Sequence, residues 1–213
     1  MKEIVIAGRR VGPDSPPLIV AEMSGNHNGS LDRALQIVDA AAKAGAHAIK
    51  LQTYTADSLT LDVHTGDFYI SDKKSLWHGQ SLYELYTYAA TPWEWHAPIF
   101  RRCRELGMDA FSTPFSDDAV EFLESLDVPC YKIASFEIVH LPLIRRVART
   151  GKPMIISTGM ASVTDIEEAV NAAREAGSRE IMLMKCTSTY PASAAYTNIR
   201  TIPHLHEMFG IPV

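Results

Sequence analysis

Cysteine is scarce in this chain. Cys103, Cys130 and Cys186 are its three cysteines, odd in number and far apart. That excludes a disulfide framework or a zinc-binding spacing and leaves free thiols as the expectation. No apolar run approaches the ~18 residues that a membrane span requires. The opening stretch MKEIVIAGRRVG has neither the long apolar segment nor the small-residue cleavage site of a secretory signal. Both features point to a soluble, cytoplasmic protein. Positive charge is in deficit too: 20 Lys and Arg stand against 25 Asp and Glu, a formal net charge of -5. A general nucleic-acid or acidic-membrane binder is disfavoured, because affinity for phosphate backbones needs clustered cations. One local basic pocket for a small anion stays open on an acidic protein. A Gly-x-Gly-x-x-Gly turn after the first buried strand is also missing, which argues against a dinucleotide-binding doubly wound fold.

What is present is alternation. Short, nearly continuous apolar runs at 17–24, 46–54, 108–115, 129–137, 152–160 and 180–191 read as buried strands. Between them lie helical patterns at 30–45, 91–107, 117–126, 141–150 and 162–177, with another at 199–210. Ser30 is placed to cap the first helix and Gly45 to end it. Pro92 follows a Thr cap at the next helix, and Ser162 with Asp165 forms an approximate capping box. The stretch from 55 to about 91 has no clear pattern and reads as a long functional loop. Six strands alternating with helices imply parallel βαβ units. The expected architecture is a (β/α)8 TIM-type barrel, and such barrels take about 250 residues. The 213 residues therefore read as an incomplete barrel domain, cut after about six βα units, with Ile211-Pro212-Val213 starting a seventh strand.

In such barrels the chemistry collects where strands end, and so do the polar residues here. The first strand ends in Glu22; the second carries Lys50 and Gln52, two apart and so on one face. Thr113 closes the third. Lys132, Ser135 and Glu137 follow one another along the fourth, and Ser157 ends the fifth. The sixth carries Lys185, then Ser188 and Tyr190. Ionisable groups inside apolar strands are costly unless paired or ligand-bound. Two readings stay open: barrel-lining salt bridges from the lysines to Glu22 and Glu137, or a pocket for a phosphate and a carboxylate. His27 and His47 read as ordinary hydrogen-bonded residues rather than metal ligands. His204 and His206, two apart on a helix, make a poor chelating pair. Trp77, Tyr83, Tyr86, Trp93 and Trp95 read as packing or a lid. Arg101, Arg102 and Arg104 read as a solvated face.

The segments IVAEMSGNHNGSLDRAL, AIKLQTYTADSLTL, SLYELYTYAATPWEWH, FSTPF, CYKIASFE, IISTGM and LMKCTSTYP, in this order, resemble the sialic acid synthases. The resemblance covers essentially the whole chain and is strongest to the pseudaminic branch. It implies an enzyme, a transferase that condenses phosphoenolpyruvate with an acetamido sugar, here a 2,4-diacetamido-2,4,6-trideoxy hexose, to a nonulosonic acid and phosphate. Carried over by motif, Glu22 resembles the acid beside the reacting carbons and Lys50 the lysine that holds the phosphoenolpyruvate carboxylate. Lys132, Thr113, Ser135, Ser157 and Ser188 resemble its anion cradle. Gln52, Glu137 and Tyr190 resemble sugar-binding positions; Glu22, Lys50, Lys132 and Glu137 are the expected catalytic set. The resemblance further implies a divalent metal (Mn, Mg or Co) and a homodimer for the full-length form. The family's metal-binding histidines and its C-terminal antifreeze-like domain would follow beyond residue 213, so these residues alone are expected to be inactive. The alternatives are an N-acetylneuraminate synthase using N-acetylmannosamine, a Schiff-base aldolase working through Lys50, Lys132 or Lys185, and a non-catalytic remnant.

Overall fold

The structure, a computed structural model, describes residues 3–12, 14–189 and 191–213. It opens on an antiparallel hairpin, β1 (Ile4–Ile6) and β2 (Arg9–Val11), that the sequence reading had passed over. Ala7 and Gly8 both have positive φ, 50° and 77°. That is the two-residue turn whose twist suits a hairpin. Ile4 and Ile6 face inward and are buried; Val5 between them is exposed.

The six expected strands follow as β3 (Val20–Glu22), β4 (Ala48–Thr53), β5 (Asp109–Pro114), β6 (Tyr131–Ile133), β7 (Met154–Ser157) and β8 (Ile181–Met184). Their order in the sheet is the order in the chain, and the registered pairs β3–β4, β5–β6, β6–β7 and β7–β8 are parallel. Helices α1 (Leu31–Lys43), α4 (Trp93–Glu105), α5 (Asp117–Ser125), α6 (Leu141–Ala148), α7 (Val163–Glu175) and α8 (Thr201–Phe209) fall between or after them. Every residue of β7 is buried, as strands covered on both faces must be. The long connection after β4 is not a plain loop. It holds α2 (Ala56–Leu59), a 3-10 turn (Gly66–Phe68) and α3 (Leu82–Ala89). Ser81 and Glu84 cap α3 reciprocally, a capping box followed by an aromatic run that irregular composition concealed.

Ser30 caps α1 by accepting the Arg33 N–H, and Ser162 with Asp165 forms the box at α7. At α4 the cap is Pro92 itself; the Thr91 hydroxyl is used elsewhere, against His27 at 3.1 Å. The chain divides into two compact units. One, the β3–β4 unit, comprises Ile19–Ala110 and Pro114–Ala119. The other, the β6–β8 unit, comprises Met1–Leu18, Phe111–Thr113 and Val120–Val213, so β5 and α5 are shared between them. Past α8, the Leu183 N–H donates to the Pro212 carbonyl at 2.9 Å. The final residues thus reach the free edge of β8, in line with the expected start of a further strand. No helix among the described residues is long and apolar enough to cross a membrane.

Candidate functional site

In the β3–β4 unit the parallel register sets Glu22 directly opposite Lys50. Their side chains close a 2.5 Å ion pair, Lys50 mostly buried and Glu22 partly exposed. The salt-bridge reading is therefore realised for this lysine. It also leaves a carboxylate at a strand end with its charge balanced beside it. Gln52 shares the face: Lys50 and Gln52 are the two less buried positions of an otherwise buried strand.

The same unit shows what its histidines do. His27 is fully buried; its Nε2 meets the Thr91 hydroxyl, its Nδ1 accepts the Gly29 N–H, and its ring packs edge-on to Trp95. His47 Nδ1 accepts the Ile19 N–H at 2.9 Å. Both therefore lock backbone rather than offer ligands. The aromatic cluster is also structural in the main. Tyr86 packs edge-on to Tyr54, Trp93 Nε1 donates to the Tyr54 carbonyl, and the Tyr83 hydroxyl donates to Asp57. Trp77 is half exposed. Arg102 is not simply solvated; it pairs with Asp39 at 2.7 Å and Glu105 at 3.1 Å.

The β6–β8 unit gathers most of the remaining predicted residues. Lys132 sits in the middle of β6 and is 5% exposed. Its ammonium donates to the Ile133 carbonyl at 2.8 Å and to the Ser157 hydroxyl at the end of β7. Ser157 Oγ in turn lies 3.2 Å from Cys186 Sγ, just past β8. This polar line crosses three adjacent strands. Gly159 closes one side of it. Its N–H donates to Ser135 Oγ at 3.3 Å, and a Cβ built on it would run into Ser188 Oγ, Ser135 Oγ and Cys186 Cβ. Only glycine lets these hydroxyls and its own N–H meet so closely. The result is a small cradle of one ammonium, three hydroxyls and one amide, the donor set that oxyanions select. Thr113 is buried in the same unit, at the end of β5.

Four placements differ from the expectation, at two strand ends. β6 ends at Ile133, so Ser135 and Glu137 are not on the strand. Ser135 precedes, and Glu137 lies within, a 3-10 turn at Phe136–Val139. β8 ends at Met184, so Lys185 and Ser188 follow the strand rather than line it. Lys185 takes no part in the Lys132 line; its ammonium donates to Thr187 Oγ1 at 2.9 Å. The β-prone residues of both segments run on past the last strand residue, and nothing in their composition marks where pairing with the neighbouring strand stops. Tyr190 lies outside the described residues. Cys186 and Gly159 were missed, since neither residue type signals a site without its neighbours.

Glu137 carries a buried Oε2 with no hydrogen-bond partner among the described residues. Burial pushes its carboxyl above the ordinary range, against the pull of its own backbone N–H and of Lys132. Between the ordinary carboxylate pKa and this raised value the folded state holds a proton that the unfolded state has lost. Stability therefore falls as pH rises through that window. Glu137→Gln is expected to abolish this slope in urea denaturation curves collected across the window. An unchanged slope would show that Glu137 is not its source.

The divalent ion implied by the resemblance finds no ligand set: among the described residues no group of three or more His, Cys, Asp or Glu could hold a metal.

Three comparisons bear on this arrangement. The sequence profile of the NeuB family matches residues 37–213. A pseudaminic acid synthase of Helicobacter pylori is 46% identical over 92% of this chain and 57% of that protein. In structure, the chain is similar to a Bacillus subtilis spore coat polysaccharide biosynthesis protein (TM-score 0.81, 37% identity, 100% of this chain, 55% of that one). It is also similar to an N-acetylneuraminic acid synthetase of Leptospira borgpetersenii (TM-score 0.84, 29% identity, 99% and 68%). The chain spans little more than half the length of the curated relatives it matches.

Proposed function

The chain belongs to the NeuB family, and on that footing we propose that it carries the phosphoenolpyruvate-binding strand ends of a pseudaminic acid synthase. The carrying observation is the cradle of Lys132, Ser157, Ser135, Ser188 and Gly159, a set of hydrogen-bond donors around one buried ammonium. The six parallel strands are assigned as the first six of a (β/α)8 barrel, whose chemistry lies at the strand ends. The 46% identity to the Helicobacter pylori enzyme favours a 2,4-diacetamido-2,4,6-trideoxy hexose as acceptor.

In this reading Lys132 and the three hydroxyls of the β6–β8 unit hold the phosphoenolpyruvate anion. The roles that the resemblance gives the β3–β4 unit are a carboxylate partner for Lys50, taken in exchange for Glu22, and a place for the freed glutamate beside the reacting carbons. The enol carbon attacks the sugar aldehyde, and cationic character develops at C2 of the former phosphoenolpyruvate. An adjacent carboxylate at Glu22 stabilises it. Water then adds at C2, and phosphate departs with cleavage of its C–O bond. The resemblance gives Gln52 and Glu137 to the sugar, and the buried Oε2 of Glu137 has a hydrogen bond to spare for it.

Calorimetry of this chain with phosphoenolpyruvate tests the anion half of the reading, and binding is expected. The full-length form is then mixed with phosphoenolpyruvate, a divalent metal and each sugar, and phosphate release is followed. An N-acetylneuraminate synthase is the second reading, favoured by the likeness to the Leptospira structure. Turnover of N-acetylmannosamine in preference to the diacetamido sugar would establish it instead. Failure to bind phosphoenolpyruvate would remove both readings.

A further inference from the structure

We propose that Met160 and Tyr196 choose the acceptor sugar. They form the apolar walls of the space beside the Lys132 cradle and take the methyl groups of an N-acylated deoxy sugar. This assignment rests on the function proposed above and names the residues of that same site that set its specificity.

The space is continuous with the cradle. Gly159, Cys186 and Ser188, which crowd together there, also line a hollow of about 420 Å³ in the β6–β8 unit. That lies within the roughly 300–1,000 Å³ of pockets that hold small organic ligands. A molecule as small as phosphoenolpyruvate leaves part of it for a second reactant. Met160, directly after Gly159, is 56% exposed on this wall. Tyr196, at the end of the 3-10 turn Ala194–Tyr196, lines it too and is 74% exposed. They are the two large side chains of the lining with apolar surface to cover. The thioether chain of methionine is flexible and adapts to an irregular apolar group. The tyrosine adds a flat ring face with a polar tip.

The polar part of the lining points to the same ligand. Lys185 donates to Thr187 Oγ1 at 2.9 Å. An ammonium has three donors and no acceptor, so it retains capacity for a carbonyl oxygen. Among the described residues no aspartate or glutamate lines the hollow. An acetamido group matches this lining at both ends, with a carbonyl oxygen for Lys185 and a methyl for Met160 or Tyr196. A hydroxyl against the same walls loses water without a partner, which is costly. The 2,4-diacetamido-2,4,6-trideoxy hexose carries three methyl groups, two on its acyl nitrogens and one at its deoxy end. N-acetylmannosamine carries one and ends in a hydroxymethyl group.

Steady-state kinetics of the full-length form with phosphoenolpyruvate, a divalent metal and each of the two sugars tests the assignment. The parent is expected to prefer the diacetamido deoxy sugar. Met160→Ser and Tyr196→Ala should each raise the KM for that sugar by about tenfold, the scale on which an apolar pocket discriminates a methyl group. The kcat and the KM for phosphoenolpyruvate should stay at the parent's values. The kcat/KM for N-acetylmannosamine should change far less, so that the preference narrows. Both side chains are more than half exposed, and the melting temperatures of the variants should match the parent. An unchanged preference in active variants overturns the assignment, as does a KM for phosphoenolpyruvate that rises together with that for the sugar. A parent that prefers N-acetylmannosamine overturns it as well and leaves phosphoenolpyruvate binding standing. A parent that consumes neither sugar removes the proposed function, and the assignment with it.

Discussion

Lys132→Met is expected to weaken phosphoenolpyruvate binding by about 10- to 100-fold, the worth of one or two charge-assisted bonds, while leaving the fold at least as stable. The two halves of that result come from one fact. Lys132 is almost fully buried in β6, and its ammonium is held by a carbonyl and a hydroxyl. Keeping an ammonium out of water is costly, and an apolar chain of similar volume removes the cost. Ser157 keeps Cys186 as a partner, so the substitution does not strand it. Glu137 loses the one cation that pulls its carboxyl down, and its pKa should rise further. Calorimetry and thermal denaturation read the two effects separately. A stable variant that still binds phosphoenolpyruvate as the parent does would make Lys132 a structural residue and remove the anchor of the proposed function.

Acidification should destabilise the β3–β4 unit, with His96 as the main cause. His96 is fully buried in α4. Its Nε2 lies 2.8 Å from Thr53 Oγ1 and its Nδ1 3.3 Å from the Pro92 carbonyl. A carbonyl only accepts, so Nδ1 carries the proton and Nε2 accepts from the threonine; a second ring proton would oppose the Thr53 hydroxyl bond. Burial pushes the pKa down to about 4, against the pull of the Pro92 and Trp93 carbonyls. Between the ordinary histidine value and about 4 the unfolded chain binds a proton that the folded chain refuses. Stability is therefore full above pH 6.5 and drains away as pH falls to 4, by about 3 kcal/mol in all. His27, also lowered by burial, acts in the same direction. Urea denaturation at pH 7, 5.5 and 4.5 should show the loss, and His96→Gln should flatten it from a lower starting stability. Parallel pH profiles for the two proteins would rule out His96.

Much of this site could be read before any coordinates. Lys50 and Gln52 share a face because strands alternate, and Ser162 with Asp165 caps α7 because that pair does so in isolation. The N-terminal hairpin was also within reach. The run IVIAGRRV alternates around an Ala-Gly pair, yet its few residues were overlooked beside the longer buried strands. Glu137 was misplaced for a different reason. An apolar, β-prone run gives no sign of where hydrogen bonding to the next strand stops, and Ile133 is that point only because of its neighbours in the sheet.

The sequence by itself determined the alternation of buried strands and amphipathic helices, the family, and the list of polar groups at strand ends. Those are properties of period and motif, which local sterics and the need to bury apolar surface enforce along the chain. The tertiary structure alone decided how the polar groups are partnered. It set Lys50 against Glu22 through the parallel register and ran Lys132 through Ser157 to Cys186 across three strands. It made Gly159 necessary by crowding two serines around it, left one oxygen of Glu137 without a partner among the described residues, and set Lys185 against Thr187. Each is a contact between residues that are distant in sequence or lie past a strand end. The energy of a charge depends on what lies within a few ångströms of it, and only the folded chain fixes that.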